Sequence, residues 1–422
     1  MLGLVLTAGG ARGAYQAGVL KRIAQIPALR DRSQPFEIIA GASAGAINGT
    51  ILAAQGGGFA AAAERVADVW AELSLERVFR TDVLALAAGG ASLLRDFTLG
   101  SLLGWTQTYG LLDTSPLAKL VCDALPPDGV RGAIERGELY AIAVTATSYH
   151  SGRSYIFVQG RQGHPIWTKS RRVVLPVTLT PRHILASGAI PIVFPPVRIE
   201  SDAGELWFGD GGLRLVAPLS PAIRLGASRL LAIGVRSASA AEALARREAF
   251  GSTPEAEAVP QPACPPLAQV CGVLLNAIFL DHLDTDVDHL QRMNELIAAH
   301  PGMTGSGGPK ESMRQITPLV ISPSEDLALV AQRFAHRMPR LLRFVMDGLG
   351  TPDAQSADLM SYLLFDSAYT GTLVQIGYRD ADARIGEIEE LIRGFRSPVE
   401  ESAEVDGQVL RPAEEPHLLP FH

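Results

Sequence analysis

The sequence predicts an α/β fold, a layered sandwich built on a mostly parallel central sheet, followed by a helical C-terminal region. Three observations predict it. Strand-like and helix-like runs alternate through the first 235 of the 422 residues. The strand-like runs, "LGLVLT" among them, are short and apolar and read as buried strands. After about residue 267 apolar residues recur at helical spacing instead.

Taken in order, "LGLVLT" (2–7) reads as the first strand, and "GAYQAGVLKRIAQI" (13–26) as a helix with Tyr15, Val19, Leu20 and Ile23 on one face. "FEIIAG" (36–41) reads as the second strand, and a small-residue helix runs from Ala44 to about Gln55. Strands at 138–147 and 153–159 flank "HSG", a hairpin turn. In "TPRHILASGAIP" Thr180 is the expected N-cap and Pro181 the first helical residue. "RLLAIGV" (229–235) closes the strand series. The organisation expected is a folded unit over 1–235, a connector over 236–267 rich in Pro, Glu and Ala, a helical region over 268–397 packed on the first unit, and a disordered acidic tail over 398–422. The helix around Asp281, Asp284 and Asp288, with His282 and His289, reads as a solvated acidic face rather than a metal site, and is expected to pack beside the first unit and shape its pocket.

Composition narrows the function. A hydrophobic content of 47% supports a large core, and 19% charged residues leaves room for a deep pocket or an apolar surface. A net charge of −7 without a basic stripe argues against nucleic acid. Cys122, Cys264 and Cys271 have neither metal-ligand spacing nor an even count, which fits a reducing compartment. No apolar run approaches a membrane span, and the N-terminus reads as a strand rather than a leader, so a soluble cytoplasmic chain is expected.

Three motifs carry chemistry. "TAGGARGAYQAG" (7–18) is a glycine-rich turn between a strand and a helix, a place where backbone N–H groups converge on an anion. It reads either as a phosphate cradle or as an oxyanion hole. A dinucleotide fingerprint is disfavoured, because Ala8 breaks the glycine register and no acidic residue closes the second strand. "GASAG" (41–45) matches G-x-S-x-G, in which a strained serine needs glycine two positions away on either side. "WFGDGGLRL" places Asp210 at the end of a short strand among glycines; alone it would read as a hairpin turn. None of the nine histidines holds a comparable strand-end position.

In this order, "AGGARG", "GASAG" and "DGG" resemble the signature of the patatin-like phospholipases, and "ASGAIPIVFPPV" (186–197) is similar to that family's segment before its acid. The resemblance covers roughly 1–235 and implies a three-layer α/β/α sandwich. It implies a serine lipid acyl hydrolase of the phospholipase A, lysophospholipase or esterase type, with a Ser43–Asp210 dyad, elbow glycines Gly41 and Gly45, and Gly211 and Gly212 after the acid. The oxyanion hole falls on Gly9, Gly10, Ala11, Arg12 and Gly13. No cofactor or metal is implied. The partner is a lipid or phospholipid substrate, with transient contact to a membrane surface. Arg12 either meets a lipid phosphate or braces the loop through carbonyls, and bracing is favoured; Arg171, Arg172 and Arg182 are candidates for an anionic headgroup. Residues 82–113, apolar and broken by glycine, are expected to form a cap or membrane-touching flap, with Phe97, Leu102, Leu103 and Trp105 clustered. Two departures stand out: Ala8 for the first loop glycine, and Val216 where relatives carry asparagine. The alternatives are a nucleotide- or phosphate-binding module and a catalytically silent lipid-binding protein.

Overall fold

A computed structural model describes residues 1–30, 34–80, 110–169, 171–201, 204–237, 270, 273, 276–277, 282–300, 314–338 and 357–394. Its centre is one sheet. The strands are β1 (Leu2–Leu6), β2 (Ile38–Ala42), β3 (Ala141–Ser148), β4 (Ser154–Gly160), β5 (Thr168–Lys169), β6 (Arg172–Pro176), β7 (Val197–Ser201), β8 (Gly204–Gly209), β9 (Arg229–Ile233) and β10 (Thr317–Ile321). Their spatial order is β10-β9-β1-β2-β3-β4-β6-β5, with β8 pairing the far end of β3 and β7 pairing β8. Five consecutive neighbours, β10 through β3, are parallel, and the hairpin partner β4 is antiparallel to β3.

The period-2 geometry of a strand sorts the central side chains onto two faces. Leu4 and Leu6 of β1, Ile39 of β2, and Ile142 and Val144 of β3 join one core with Tyr15, Leu20, Ile51, Leu52, Phe59 and Val66. Those partners sit on α1 (Ala14–Ala24), α2 (Ala44–Ala54) and α3 (Phe59–Ala71). Val5, Ile38, Ala40, Ala141 and Ala143 point to the opposite face, against Leu219, Ala222 and Leu225 and against Leu283 of the helix His282–Ala299. Helices on both faces of a mostly parallel sheet make the three-layer sandwich expected, and explain why these strands read as unbroken apolar runs.

Two findings depart from the sequence reading. β10 is a strand within a region that reads as helical throughout; Thr317–Ile321 lies parallel to β9, Leu319 opposite Leu231. No residue of the helix His282–Ala299 lines the cavities at Ser43; its Leu283, Val287 and Leu290 face the core on the other side of the sheet. The helix Ser367–Ala383 instead lies against α1, where a Cβ on Gly18 would strike the carbonyl of Val374 and one on Gly377 the carbonyl of Tyr15. Its start is set by Asp366, whose carboxylate accepts from the Ala368 N–H at 3.0 Å and separates it from the helix Ala357–Leu363. The expected cap (82–109 of it), most of the connector and the acidic tail lie outside the described residues.

Candidate active site

Open α/β sheets bind ligands beyond the carboxyl ends of their strands. The glycine loop leaves that end of β1 and the Ser43 turn leaves that end of its neighbour β2. β8 runs antiparallel to β3, with Gly209 opposite Thr147, and so delivers Asp210 to the same edge.

Ser43 occupies φ 55° and ψ −126°, a left-handed backbone that a non-glycine residue adopts under strain. Its glycine neighbours have steric causes. A Cβ on Gly41 would press into the Gly45 carbonyl, and one on Gly45 into the Leu6 carbonyl and 2.7 Å from that of Thr7. Both obstacles are backbone and cannot swing aside. Gly45→Ala is therefore expected to destabilise the fold by about 3 kcal/mol, the upper end of ordinary overpacking costs. Urea unfolding checks this, and a midpoint equal to that of the wild type would contradict it.

Ser43 Oγ donates to Asp210 Oδ2 at 2.6 Å, and both residues are buried. The other carboxylate oxygen accepts from Gly212 N–H at 2.7 Å. The Asp210 backbone is tied on both sides: its N–H donates to Ala189 O at 2.9 Å and its carbonyl accepts from Thr147 Oγ1 at 2.8 Å. A Cβ on Gly211 would overlap the Thr145 carbonyl, so this glycine lets the turn lie flat on β3. Burial pushes the Asp210 carboxyl up to about 7, and the hydrogen bonds from Ser43 and Gly212 offset part of that rise.

The glycine loop forms a short 3-10 turn over Gly10–Gly13, with Gly10 at φ 55°. The Arg12 N–H closes on the Gly9 carbonyl at 3.1 Å, whereas the N–H groups of Gly10 and Ala11 have no hydrogen-bond partner among the described residues. Gly10 shares both cavity walls with Ser43, Gly9 packs on Val235, and Gly13 packs on Ala44 and Trp70. The five loop residues thus divide: the N–H groups of Gly9, Gly10 and Ala11 have no hydrogen-bond partner among the described residues, whereas those of Arg12 and Gly13 are taken up in the 3-10 turn. The Arg12 side chain donates to Ser361 Oγ and Asp358 Oδ1 rather than to backbone carbonyls of the loop.

Residues that the motifs did not single out hold this geometry. Ser187 Oγ accepts from the Ser43 N–H at 2.9 Å and donates to the Thr145 carbonyl at 2.6 Å. Beneath the loop, Trp70 Nε1 donates to Asn48 Oδ1, Asn48 Nδ2 to Gly13 O and Gln16 Oε1, and Gln16 Nε2 to Thr7 O. The chain of bonds links α3, α2, α1 and β1 with every member satisfied, and a network of that kind specifies one backbone arrangement. The only sequence signal for it is polar residues at core positions of helical patterns.

Two cavities meet at Gly10, Ser43 and Ile190. The larger, about 490 Å³ including space open to solvent, lies between α2, α3 and the helix Ser115–Ala124, with Ile47, Val69, Leu73, Leu117 and Phe194 on its walls. The smaller, about 290 Å³, runs between Asp210 and the helix Ala357–Leu363. No histidine lines either cavity among the described residues. His183 instead stacks edge-on against Phe157 and accepts from the Thr180 N–H, and burial lowers its pKa to about 4. Arg172 donates to Ser220 Oγ and lines neither cavity, and neither do Arg171, Arg182 and Val216. No group of three or more His, Cys, Asp or Glu among the described residues could hold a metal ion, and no helix among them is long and apolar enough to cross a membrane.

Residues 4–223, just over half of the chain, match the family model described as patatin-like phospholipase. Among solved structures the chain is similar to VipD from Legionella pneumophila, at 13% identity over 94% of this chain and 93% of that one, TM-score 0.27. It is also similar to human GIVD cytosolic phospholipase A2 in complex with methyl gamma-linolenyl fluorophosphonate, at 13% identity over 93% of this chain and 58% of that one, TM-score 0.40. The type III effector protein ExoU is matched at 15% identity over 85% of this chain and 76% of that one, TM-score 0.24. No curated protein sequence matches the chain.

Proposed function

The chain belongs to the patatin-like phospholipase family, whose chemistry is lipid acyl hydrolysis, and from that premise we propose that it cleaves carboxylic esters of lipids through an acyl-serine intermediate on Ser43, with Asp210 as the single base. The observation that carries the proposal is the 2.6 Å hydrogen bond from Ser43 Oγ to Asp210 Oδ2 at the junction of two cavities.

As Oγ attacks the ester carbonyl, its proton passes to Asp210. The carbonyl oxygen becomes an oxyanion and meets the N–H groups of Gly10 and Ala11, which have no partner among the described residues to surrender. Donors of this kind contribute about 2.7–4 kcal/mol each to transition-state stabilisation. Collapse of the tetrahedral intermediate expels the alcohol, which takes the proton from Asp210. Water then repeats the sequence on the acyl-serine: Asp210 accepts its proton, the fatty acid leaves, and Ser43 recovers its hydrogen. An aspartate at its ordinary pKa is a weak base for an alcohol. The raised value of about 7 brings Asp210 close to the ideal for proton transfer at neutral pH.

The larger cavity suits an acyl chain, because its walls are aliphatic and aromatic and each buried methylene contributes about 0.8 kcal/mol. The smaller cavity, on the Asp210 side, suits the departing alcohol, which must receive its proton there. A nucleotide in this site would set phosphate charge against Asp210 and apolar walls, which counts against the phosphate-cradle alternative.

A fluorophosphonate probe tests the proposal, since it phosphonylates an activated serine and leaves an inert one untouched. The expected result is a single adduct that maps to the peptide containing Ser43 and is suppressed by pre-incubation with a fatty acyl ester. A chain that folds yet takes no label would overturn the proposal and favour a silent lipid-binding protein.

A further inference from the structure

We propose that Asp358 and Ser361, on the helix Ala357–Leu363 beyond the family-matched segment, are positioning residues that hold the oxyanion loop through Arg12. This rests on the reading of Ser43, Gly10 and Ala11 given above. Arg12 is only 3% exposed, and a buried cation needs full compensation. Its Nε donates to Ser361 Oγ at 2.8 Å and its Nη2 to Asp358 Oδ1 at 2.9 Å, and its guanidinium lies 4.6 Å from the centre of the Tyr362 ring. Ser361 Oγ passes its own hydrogen to the Asp358 carbonyl at 2.5 Å, so the fork is anchored to helix backbone as well as to side chains.

The same helix meets the loop at a second point. Gly10 faces the Tyr362 carbonyl so closely that a Cβ there would lie 2.5 Å from it. Arg12 stands two residues after Gly10 in one 3-10 turn, which the Arg12 N–H closes on Gly9 O and Asn48 Nδ2 holds at its far end through Gly13 O. Anchoring the guanidinium therefore fixes the rotation of the turn, and with it the direction of the Gly10 and Ala11 N–H groups. Oriented donors lose much of their value when displaced by about 1 Å, on the order of 100-fold in rate. A device built into the C-terminal region makes the reaction depend on that region being docked.

The test uses the full chain, a short soluble p-nitrophenyl ester, and a trifluoromethyl ketone with the same acyl chain as a mimic of the tetrahedral adduct. Asp358→Ala and Ser361→Ala are each expected to lower kcat about tenfold or more with KM within about twofold of the wild-type value. Affinity for the ketone should fall in step with kcat/KM, whereas affinity for the product fatty acid should hold. Asp358→Asn keeps an oxygen acceptor for Nη2 and is expected to recover part of the loss. A merely structural role would lower the melting temperature and leave the ketone-to-product affinity ratio unchanged, and that outcome overturns the proposal. So does a kcat within about twofold of the wild type in both alanine variants. Should Asp358→Ala fail to fold, Ser361→Ala and Asp358→Asn decide on the same criteria. A wild-type chain that hydrolyses no ester removes the acyl-serine reading and this proposal together; an active wild type with unaffected variants removes this proposal alone.

Discussion

Ser43→Ala is expected to lower kcat for ester hydrolysis by about 10,000-fold or more, the loss typical when a covalent nucleophile is removed. In the proposed mechanism this side chain forms the acyl bond, and among the described residues the other groups lining the two cavities are backbone, hydrocarbon, the Trp70 indole, the Asp210 carboxyl and the Tyr362 phenol, none of which can replace it. The fold should survive, because the Ser43 turn is held by backbone. Its N–H is bound by Ser187, and its carbonyl accepts from the Ala46 and Ile47 N–H groups. Ser43→Gly offers a control. It relieves the positive φ at this position, worth about 1 kcal/mol, and should match or exceed the alanine variant in stability while being equally inactive. Hydrolysis by Ser43→Ala at a rate near that of the wild type would end the acyl-serine reading.

The second large effect is a pH dependence set by Asp210. The base form is the carboxylate, and with the carboxyl held near 7 activity should rise as pH increases through about 7 and level off above it. At its ordinary value of 3.8 an aspartate would give no inflection in that range. Asp210→Asn should remove the rise along with most of the activity, about 1,000-fold or more by analogy with the loss of a general base. Stability should move in the opposite sense. The folded state holds its proton to higher pH than the unfolded chain, so this group's contribution is fully present below about pH 4 and declines as pH climbs to about 7. Asparagine stays neutral, and its amide can serve both existing partners, the oxygen accepting from Gly212 N–H and the nitrogen donating to Ser43 Oγ. Asp210→Asn is thus expected to melt above the wild type at pH 8, with the gap shrinking toward pH 4. A gap that widens on acidification would show the sign to be wrong, and a flat activity profile from pH 5 to 9 would show that Asp210 is not the titrating base.

These expectations separate what is local from what is not. G-x-S-x-G is legible because its glycines lie within two residues of Ser43, although only Gly41 avoids the turn itself, while Gly45 avoids the carbonyls of Leu6 and Thr7 from the neighbouring strand's end. The loop at 9–13 is legible as a glycine cluster between a strand and a helix, although what its glycines must avoid lies at Val235, Trp70 and Tyr362; Thr180 and Pro181 at the start of the helix Pro181–Ser187 are legible locally. Asp210 is less so. Its significance depends on β8 pairing with the end of β3, a contact between segments about 60 residues apart that no short pattern encodes. Ser187, Asn48 and Gln16 are quieter still. Each is an ordinary polar residue in an apolar helical pattern, and its partners come from other elements. β10 is missed because five residues with no strand neighbour in sequence give too little periodicity to stand out among helices.

By itself the sequence determined the class of fold, the family and the candidates Ser43 and Asp210, because glycine placement marks where backbones approach closely and apolar periodicity marks which faces are buried. Only the tertiary structure decided that Ser43 and Asp210 share a hydrogen bond, that Arg12 turns toward Asp358 rather than into the cavities at Ser43, and that the Gly10 and Ala11 N–H groups beside Ser43 have no hydrogen-bond partner among the described residues. Those outcomes depend on which buried polar groups find partners when distant segments pack, and a carboxylate or guanidinium taken out of water settles wherever that compensation is met.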